Sequence, residues 1–398
     1  MELPRVKIYY ENGALGQVIP MDDGCLGLCC TGAPVVNKFE LVKAYVLRSY
    51  NGLSDLGITA ENNPCIEKVV REFYAEAGDG TEVWLMGFPE TLTPDVVCDV
   101  NQNNAKSLIV AANGKLRSII VAFAPAATYT PIIENGLDET LAQAIVNAQA
   151  LCEWATTQRN APIFALLEAR SFSGDAMGLS DLTEQTNNRV AVVIGDTVND
   201  SADACVGVIA GRIAIMPVQR NIGRVKDGAL KPLQFYIGDA KADSYGNIQL
   251  LFEKGYITFR TFTGKAGFFI VDANTATKVG DDYRSLANRR VIDKAYRIAY
   301  QTLIEELNDE VPVTDNGQLV PAWCANIESK VEQAIISQMT NNGNLGNDVT
   351  NPKDTGVTCT IDHNQNIVAT EHLSIQLRVK PNGYAKYIDV YLGFKTLT

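Results

Sequence analysis

Histidine is nearly absent from this sequence: only His363 and His372 occur among 398 residues. The sequence also lacks the short runs that hold phosphates or build hydrolytic and zinc-dependent sites, since no GxxxxGKS, GxxxxGKT, GxGxxG, GxSxG or HExxH run occurs. Because histidine is the side chain that titrates near neutral pH, its scarcity leaves few groups for general acid–base catalysis. We therefore predict no catalytic residues, no cofactor and no enzymatic activity.

Long apolar runs are missing as well. No run reaches the roughly 18–20 residues that span a bilayer, and the first residues, MELPRVKIYY, lack the apolar core of a signal peptide. The net charge is −12, whereas a nucleic-acid-binding face must be basic. Nine cysteines are scattered through apolar segments, which indicates buried thiols formed in a reducing cytoplasm. We predict neither membrane insertion nor nucleic-acid binding.

Two groups of residues resemble metal sites but have simpler explanations. The spacing of Cys359, His363 and His372 fits no common zinc site, and all three lie near predicted strands. An acidic group after the run RVAVVIG lacks the glycine and the closing glutamate of a calcium loop, and a helix start favours acidic side chains. We predict no metal site there. The members of the acidic group are Asp196, Asn199, Asp200 and Asp203.

Residues 21–280 alternate short apolar strands with amphipathic helices. The runs LRSIIVAFA, IFALLEA and RVAVVIG are almost wholly apolar, as in strands that are buried on both faces. Between the first two lies LDETLAQAIVNAQALCEWATTQ, which has the apolar spacing of a helix. Regular β-α-β-α alternation of this kind predicts an α/β body with a layered, mixed and largely parallel sheet.

Residues 281–380 follow another pattern, which predicts an α+β domain. A long helix, DDYRSLANRRVIDKAYRIAYQTLIEELNDE, precedes a second helix, PAWCANIESKVEQAIISQM. The run HLSIQLRVK then alternates apolar and polar residues, as in a half-buried strand. The apolar face of the first helix is predicted to pack on the core, and it consists of Ile292, Ala295, Tyr296, Ala299, Leu303 and Leu307.

Each end of the chain carries an isolated strand-like run. We assign residues 1–20 to an N-terminal arm and residues 381–398 to a C-terminal arm. A lone strand is not stable by itself, and a long open edge normally finds a partner. We therefore predict that both arms pair with neighbouring copies by β-strand addition. The apolar residues of the arms are Val6, Ile8 and Tyr10 at the N-terminus and Ile388, Val390, Leu392 and Phe394 at the C-terminus.

The long helix also carries a concentration of positive charge in an otherwise acidic chain. Arg289, Arg290, Lys294 and Arg297 are opposed on the helix only by Asp293. Taken alone, this pattern is typical of a solvated helix face.

The order of features from residue 256 onward resembles one known family. A turn from Gly264 to Gly267 separates the strands YITFRTF and FFIVDA, and the basic helix follows. A helix that begins near Trp323 runs on to Gly343-Asn344-Leu345, and an extended strand ends at Pro381. The tail YAKYIDVYLGF stands last, where Asn382, Gly383, Tyr384 and Lys386 replace the family's usual small and acidic residues. In this order the chain resembles the contractile tail sheath proteins of phage tails, R-type pyocins and related injection systems.

The resemblance implies a structural role. Sheath subunits would form stacked, hexameric rings around an inner tube, and contraction would drive that tube through a target envelope. The implied partners are further copies of the chain, the inner tube protein, and baseplate and terminator proteins. The particle would be assembled in the bacterial cytoplasm. Because a C-terminal helix of sheaths faces the tube, the resemblance also implies that the basic face (Arg289, Arg290, Lys294 and Arg297) contacts the tube.

Two alternatives remain open at this point. The first is an α/β enzyme that binds a nucleotide or small metabolite at the carboxyl ends of its strands. The second is a non-contractile capsid or tail accessory protein with exchanged arms. An enzyme would form a monomer or small oligomer that its ligand stabilises, whereas a sheath would form rings or tubes.

Overall fold

A computed structural model describes residues 22–348, 350–351 and 353–394. The chain divides into two compact units. The first unit comprises the chain up to Met216 together with Arg220–Arg289, and the second comprises Pro217–Gln219 and the chain from Arg290 onward. The predicted N-terminal arm, residues 1–20, lies outside the described residues.

Strands and helices alternate through most of the first unit. Its strands are β1 (Leu26–Thr31), β2 (Tyr45–Leu47), β3 (Val83–Phe88), β4 (Ser118–Ala122), β5 (Ile133–Glu134), β6 (Leu137–Asp138), β7 (Phe164–Glu168), β8 (Thr186–Asn187), β9 (Val190–Val193), β10 (Tyr236–Ile237), β11 (Ala240–Lys241), β12 (Phe259–Phe262), β13 (Lys265–Ile270) and β14 (Ala276–Thr277). Its helices are α1 (Gly52–Asp55), α2 (Pro64–Ala77), α3 (Pro94–Cys98), α4 (Ala105–Ala112), α5 (Thr140–Arg159), α6 (Val206–Ile215) and α7 (Ile248–Glu253).

One six-stranded sheet organises this unit. Its strand order is β2-β3-β1-β4-β7-β9, and every pair is parallel except the edge pair of β2 with β3. Among the parallel strands the order reverses between β1 and β4, as in doubly wound folds. The predicted mixed, largely parallel sheet is therefore confirmed. The apolar runs fix it, because β1, β4, β7 and β9 are buried along their whole lengths.

Helices α2 and α6 pack with unusually close backbones. A Cβ atom on Gly207 would lie 2.5 Å from the carbonyl oxygen of Val69, and one on Gly211 would lie 2.5 Å from that of Phe73. The two glycines lie one turn apart on α6, so they form a smooth strip against α2. Apart from its last residue, the whole of α6 is buried, and the close contact with α2 contributes to this burial.

The second unit contains most of a long helix and a small two-stranded sheet. Helix α8 (Leu286–Leu303) begins in the first unit and continues into the second. The remaining elements of the second unit are α9 (Pro321–Ile335), which continues as a π-helical turn (Ile336–Thr340), β15 (Val357–Thr360), α10 (Ile367–Thr370) and β16 (Gln376–Val379).

One expectation for the C-terminal part was wrong. Tyr296 and Leu307 are exposed, whereas the buried residues of α8 in this unit include Val291, Ala295 and Ile298. The helix gives way to a 3-10 turn at Ile304–Glu306, which changes the direction of the last side chains. Residues 381–394 form no strand in the single chain, and the predicted pairing of this arm with a neighbouring copy stays a prediction.

Candidate assembly interface

The C-terminal segment, residues 385–394, presents its apolar side chains to solvent. Leu392 is 96% exposed and Phe394 is fully exposed. None of residues 387–394 hydrogen-bonds to another residue in the described part of the chain. Exposed apolar groups in such a row are typical of surfaces that a partner covers. The exposed set comprises Tyr387, Ile388, Val390, Tyr391, Leu392 and Phe394.

The root of this segment is fixed to the second unit. The hydroxyl of Tyr384 donates a hydrogen bond to the main-chain carbonyl of Gln219. The side-chain oxygen of Gln219 accepts a hydrogen bond from Asn344 Nδ2 at 2.8 Å. Asn382 Nδ2 lies 3.4 Å from the carbonyl oxygen of Gly343. The C-terminal segment therefore leaves the unit at a defined place, directly after Tyr384.

Strands β15 and β16 pair in an antiparallel fashion, with Thr358 opposite Arg378 and Cys359 opposite Leu377. Lys380 N–H donates to the Gly356 carbonyl at 2.8 Å, so Gly356 and Lys380 form a hydrogen-bonded pair at the end of the ladder. Because hydrogen-bonded and non-hydrogen-bonded pairs alternate, the even-numbered residues of both strands bond to each other. The odd-numbered residues therefore direct their backbone N–H and C=O groups to the two outer edges of this sheet.

The outer edge of β15 is closed by helix α9. Cys359 N–H donates to the Glu332 carboxylate at 2.7 Å, and Ile361 N–H donates to the Glu328 carboxylate at 2.6 Å. The two glutamates lie one turn apart on α9, so their spacing matches alternate amide groups of the strand. The Val357 carbonyl accepts a hydrogen bond from the Thr355 hydroxyl at 3.1 Å.

The outer edge of β16 has no such cover. Within the described residues, the backbone groups of Leu377 and Val379 that point away from β15 have no hydrogen-bond partner. The side chains of these two residues nevertheless pack on the apolar core of the second unit. An unpaired strand edge beside an apolar face is the structural requirement for β-strand addition.

The predicted basic face is only partly a surface. Arg289 and Arg290 expose 6% and 4% of their area. The Arg289 guanidinium lies 4.3 Å from the ring centroid of Tyr283, and Arg290 Nη1 lies 3.5 Å from the Pro217 carbonyl oxygen. A tube contact through these two arginines is therefore contradicted by their burial. Lys294 and Arg297 are half-buried, and the same prediction for them stays a prediction.

A network of charged side chains occupies the carboxyl ends of the parallel strands in the first unit. Lys68 Nζ lies 2.6 Å from Asp196 Oδ2 and 3.5 Å from Asp203 Oδ2. Arg170 donates to Asp203 and to the Phe123 carbonyl. Asp196 and Asp203 therefore bind cationic side chains, which the helix-start interpretation did not foresee.

The crevice at the order reversal between β1 and β4 is also filled. Thr31, Phe88 and Phe123 help to line it, and the space between them is too small for a water molecule. Ala124 N–H donates to the Thr31 hydroxyl at 3.1 Å across the same edge. Doubly wound enzymes bind their ligands at this position, which packed side chains line in the described part of this chain.

Other chemistry-bearing groups are dispersed. In the described part of the chain, no cluster of three or more His, Cys, Asp or Glu side chains has the geometry of a metal site. Seven of the nine cysteines are buried, and Cys25 and Cys65 are partly buried. Among the helices described, none combines the length and apolar character needed to cross a membrane.

Two family models match the sequence. The model for the DUF2586 N-terminal domain matches residues 3–274, and the model for the DUF2586 C-terminal domain matches residues 282–397. The chain belongs to the DUF2586 family. No curated protein matches this DUF2586 chain.

The fold of the DUF2586 chain is similar to that of chains in solved contractile particles. A chain of the contracted PVC sheath complex, an extracellular contractile injection system, aligns with a TM-score of 0.59 at 13% identity and covers 99% of this chain and 98% of its own length. A chain of the anti-feeding prophage (AFP) baseplate aligns with a TM-score of 0.62 at 15% identity, with full coverage of both chains. In the contracted AFP baseplate the values are 0.60 and 16%, over 99% and 98% of the two chains. The predicted fold relationship to contractile sheath proteins is confirmed.

Proposed function

We propose that this chain is the structural subunit of a contractile sheath, without enzymatic activity. The observation that carries the proposal is the similarity of fold over nearly the whole chain to a subunit of a contracted sheath complex. A sheath subunit must bind copies of itself, and the exposed apolar C-terminal segment supplies a surface for that purpose. The subunits would stack as hexameric rings around an inner tube, contract, and drive the tube through a target envelope.

The two arms would link neighbouring subunits. Residues Tyr387–Phe394 and the N-terminal run around Val6, Ile8 and Tyr10 would each add a strand to the small sheet of a neighbour. Linked subunits remain connected while their bodies rearrange, so the lattice would shorten without dissociating. Each arm gains from the high effective concentration within a closed ring, which makes many weak contacts durable.

The remaining partners follow from the same role. The inner tube would lie against Lys294 and Arg297 of α8, where a partner of negative charge is favoured. Baseplate and terminator proteins would bind at the ends of the sheath. Assembly would take place in the bacterial cytoplasm, and the finished particle would be a phage tail or an injection machine.

The alternative of an α/β enzyme is not favoured. Its ligand would have to bind at the carboxyl ends of β1 and β4, where the side chains leave no space.

A test of the proposal uses two sets of variants. Removing residues 385–398, or residues 1–12, should leave a folded chain that sediments as a monomer. Replacing Leu392 and Phe394 together by serine should have the same effect as the longer C-terminal deletion. The matched control is Val368→Ser, which also removes an exposed apolar side chain of the second unit and should assemble normally. If either deletion still forms sheaths, the exchange of arms is refuted.

A further inference from the structure

The two edges of the β15–β16 sheet are not equivalent acceptors for a strand. At the β15 edge, Glu328 and Glu332 already accept the outward amide protons of Ile361 and Cys359. An arriving strand would have to displace two charge-assisted hydrogen bonds, which are stronger than the neutral bonds it would supply. At the β16 edge no hydrogen bond to a described residue has to be broken.

The side chains of β16 define which face of an added strand turns inward. Leu377 and Val379 pack on the core of the second unit, whereas Gln376, Arg378 and Lys380 are exposed. Neighbouring strands place their side chains on matching faces, whether they run parallel or antiparallel. A strand added to β16 must therefore carry apolar residues at alternate positions on the inward face.

The C-terminal segment has this pattern. Ile388, Val390 and Leu392 occupy one face of an extended chain, and Asp389 lies on the other face between Tyr387 and Tyr391. When the apolar face turns inward beside Leu377 and Val379, Asp389 comes to lie on the side of Arg378. The segment thus offers one negative charge to a strand whose exposed face is basic.

The cations on β16 differ in their surroundings. Lys380 Nζ lies 2.8 Å from Asp354 Oδ2 within the same chain. No carboxylate of the described residues lies within ion-pair distance of Arg378. Arg378 is also central in β16, opposite Thr358. Its charge is therefore available to a strand that comes from elsewhere.

We propose that the C-terminal segment of a second copy pairs with the outer edge of β16, not with that of β15, and that Asp389 of the arriving strand lies beside Arg378. This inference rests on the proposed exchange of C-terminal arms and specifies its acceptor edge, its facing side and the residue pair that fixes the register. The apolar alternation excludes a shift by one residue, which would bury Asp389 and expose the apolar side chains. The ion pair selects among the remaining registers, since a shift by two residues keeps the faces but moves Asp389 away from Arg378.

The test uses charge reversal in the full chain. Arg378→Glu alone and Asp389→Lys alone should each raise the concentration needed for assembly about three- to tenfold, because a cross-strand attraction becomes a repulsion. The double variant should assemble near the wild-type concentration. The matched control is Lys265→Glu, which makes the same change of charge at an exposed lysine of the first unit and should leave assembly unchanged.

Mixing the two single variants separates pairing between copies from pairing within one copy. In an equimolar mixture, Asp389 in the tail of the Arg378→Glu chain can pair with Arg378 on β16 of the Asp389→Lys chain. Conversely, the lysine introduced in the tail of the Asp389→Lys chain can pair with the glutamate introduced on β16 of the Arg378→Glu chain. Assembly should therefore recover on mixing, as measured by sedimentation and light scattering. Recovery in the double variant without recovery on mixing would mean that the tail pairs with its own β16, and the proposal would be overturned.

The remaining outcomes separate this inference from the proposed function. If both single variants assemble normally while the Leu392→Ser, Phe394→Ser chain does not, the edge and the residue pair are wrong and the arm exchange stands. The edge assignment is equally wrong if the double variant assembles no better than the single ones. If neither the serine variant nor the charge variants differ from wild type, or the wild-type chain never assembles, arm exchange fails and this inference fails with it.

Discussion

Glu168 is a carboxyl group enclosed at the end of a buried strand. It accepts a hydrogen bond from Phe123 N–H, and Arg170 Nη1 lies 4.0 Å away. Burial raises the pKa of Glu168 from 4.5 to about 8, the negative charge of Asp203 adds to the rise, and Arg170 opposes it. Burial likewise raises the pKa of Glu72 to about 7, although the charge of Lys68 opposes this rise.

The raised pKa of Glu168 gives the first unit a predictable response to pH. Below about pH 4.5 the group is protonated in both the folded and unfolded states. Between about 4.5 and 8 the unfolded chain releases the proton and the folded chain retains it, so the free energy of unfolding falls as the pH rises. Glu168→Gln keeps the hydrogen-bond acceptor and should flatten this fall, as measured by urea denaturation from pH 5 to 8.5. Glu90→Gln, on the surface, should leave the slope as in wild type; an equal slope in Glu168→Gln would show that the group is ionised in the fold.

At the scale of single residues, some predictions from the sequence failed because they ignored contacts between distant parts of the chain. Charged residues on an amphipathic helix normally face water, so Arg289 and Arg290 were assigned to a surface. Both are buried, as is Asp293 on the same helix, because a tertiary fold can bury a charge that has partners. Likewise, Asn63 precedes α2, where asparagine commonly caps a helix, but its side chain does not cap α2. It accepts a hydrogen bond from Ala33 N–H and donates one to the Ala33 carbonyl instead. Local sequence patterns do not predict such contacts between residues that are far apart in the chain.

At the scale of elements, the α2–α6 contact depends on the absence of two side chains. Gly207→Ala and Gly211→Ala each place a methyl group against the backbone of α2, where a flexible side chain is not available to move aside. We expect each substitution to destabilise the chain by about 1–3 kcal/mol, measured as a lower midpoint in chemical denaturation. Gly246→Ala is the control, since nothing lies within 4 Å of an added Cβ there. Unchanged stability in both α6 variants would refute the close contact.

The closed edge of β15 gives a second prediction at this scale. Glu328→Ala and Glu332→Ala should each leave a backbone amide without its acceptor, at a cost of about 1–3 kcal/mol. Hydrogen exchange should accelerate at Ile361 in the first variant and at Cys359 in the second. Gln333→Ala, on the same helix and exposed, should leave both amides protected. Unaltered exchange in the glutamate variants would show that other groups protect this edge.

The elements of the first unit were largely predictable, and those of the C-terminus were less so. Strands such as Phe164–Glu168 and Val190–Val193 are apolar throughout, and this composition leaves few alternatives to a buried parallel sheet. The strand predicted around HLSIQLRVK begins only at Gln376. Upstream, the side chain of Gln365 donates a hydrogen bond to the Ser374 carbonyl and accepts one from Ser374 N–H. These hydrogen bonds compete with strand pairing at Ser374.

At the scale of the whole molecule, the run YAKYIDVYLGF alternates apolar and polar residues as a strand does, but a single chain provides no neighbouring strand for it. A strand requires a neighbour for its hydrogen bonds, and residues 387–394 have none within the described part of a single copy. The sequence pattern therefore predicts an assembled state, whereas the isolated fold presents the same residues as an exposed segment. This difference is the physical reason why the structure of one copy does not test the strand that the sequence pattern predicts.

The most direct test of the sheath assignment is electron microscopy of the purified full-length chain, in negative stain, over a range of concentrations. A sheath subunit should form rings or long tubes whose abundance rises steeply with concentration, and the tubes should disappear in the Leu392→Ser, Phe394→Ser variant while persisting in Val368→Ser. Discrete monomers or dimers at every concentration, with no rings and no tubes, would contradict the account.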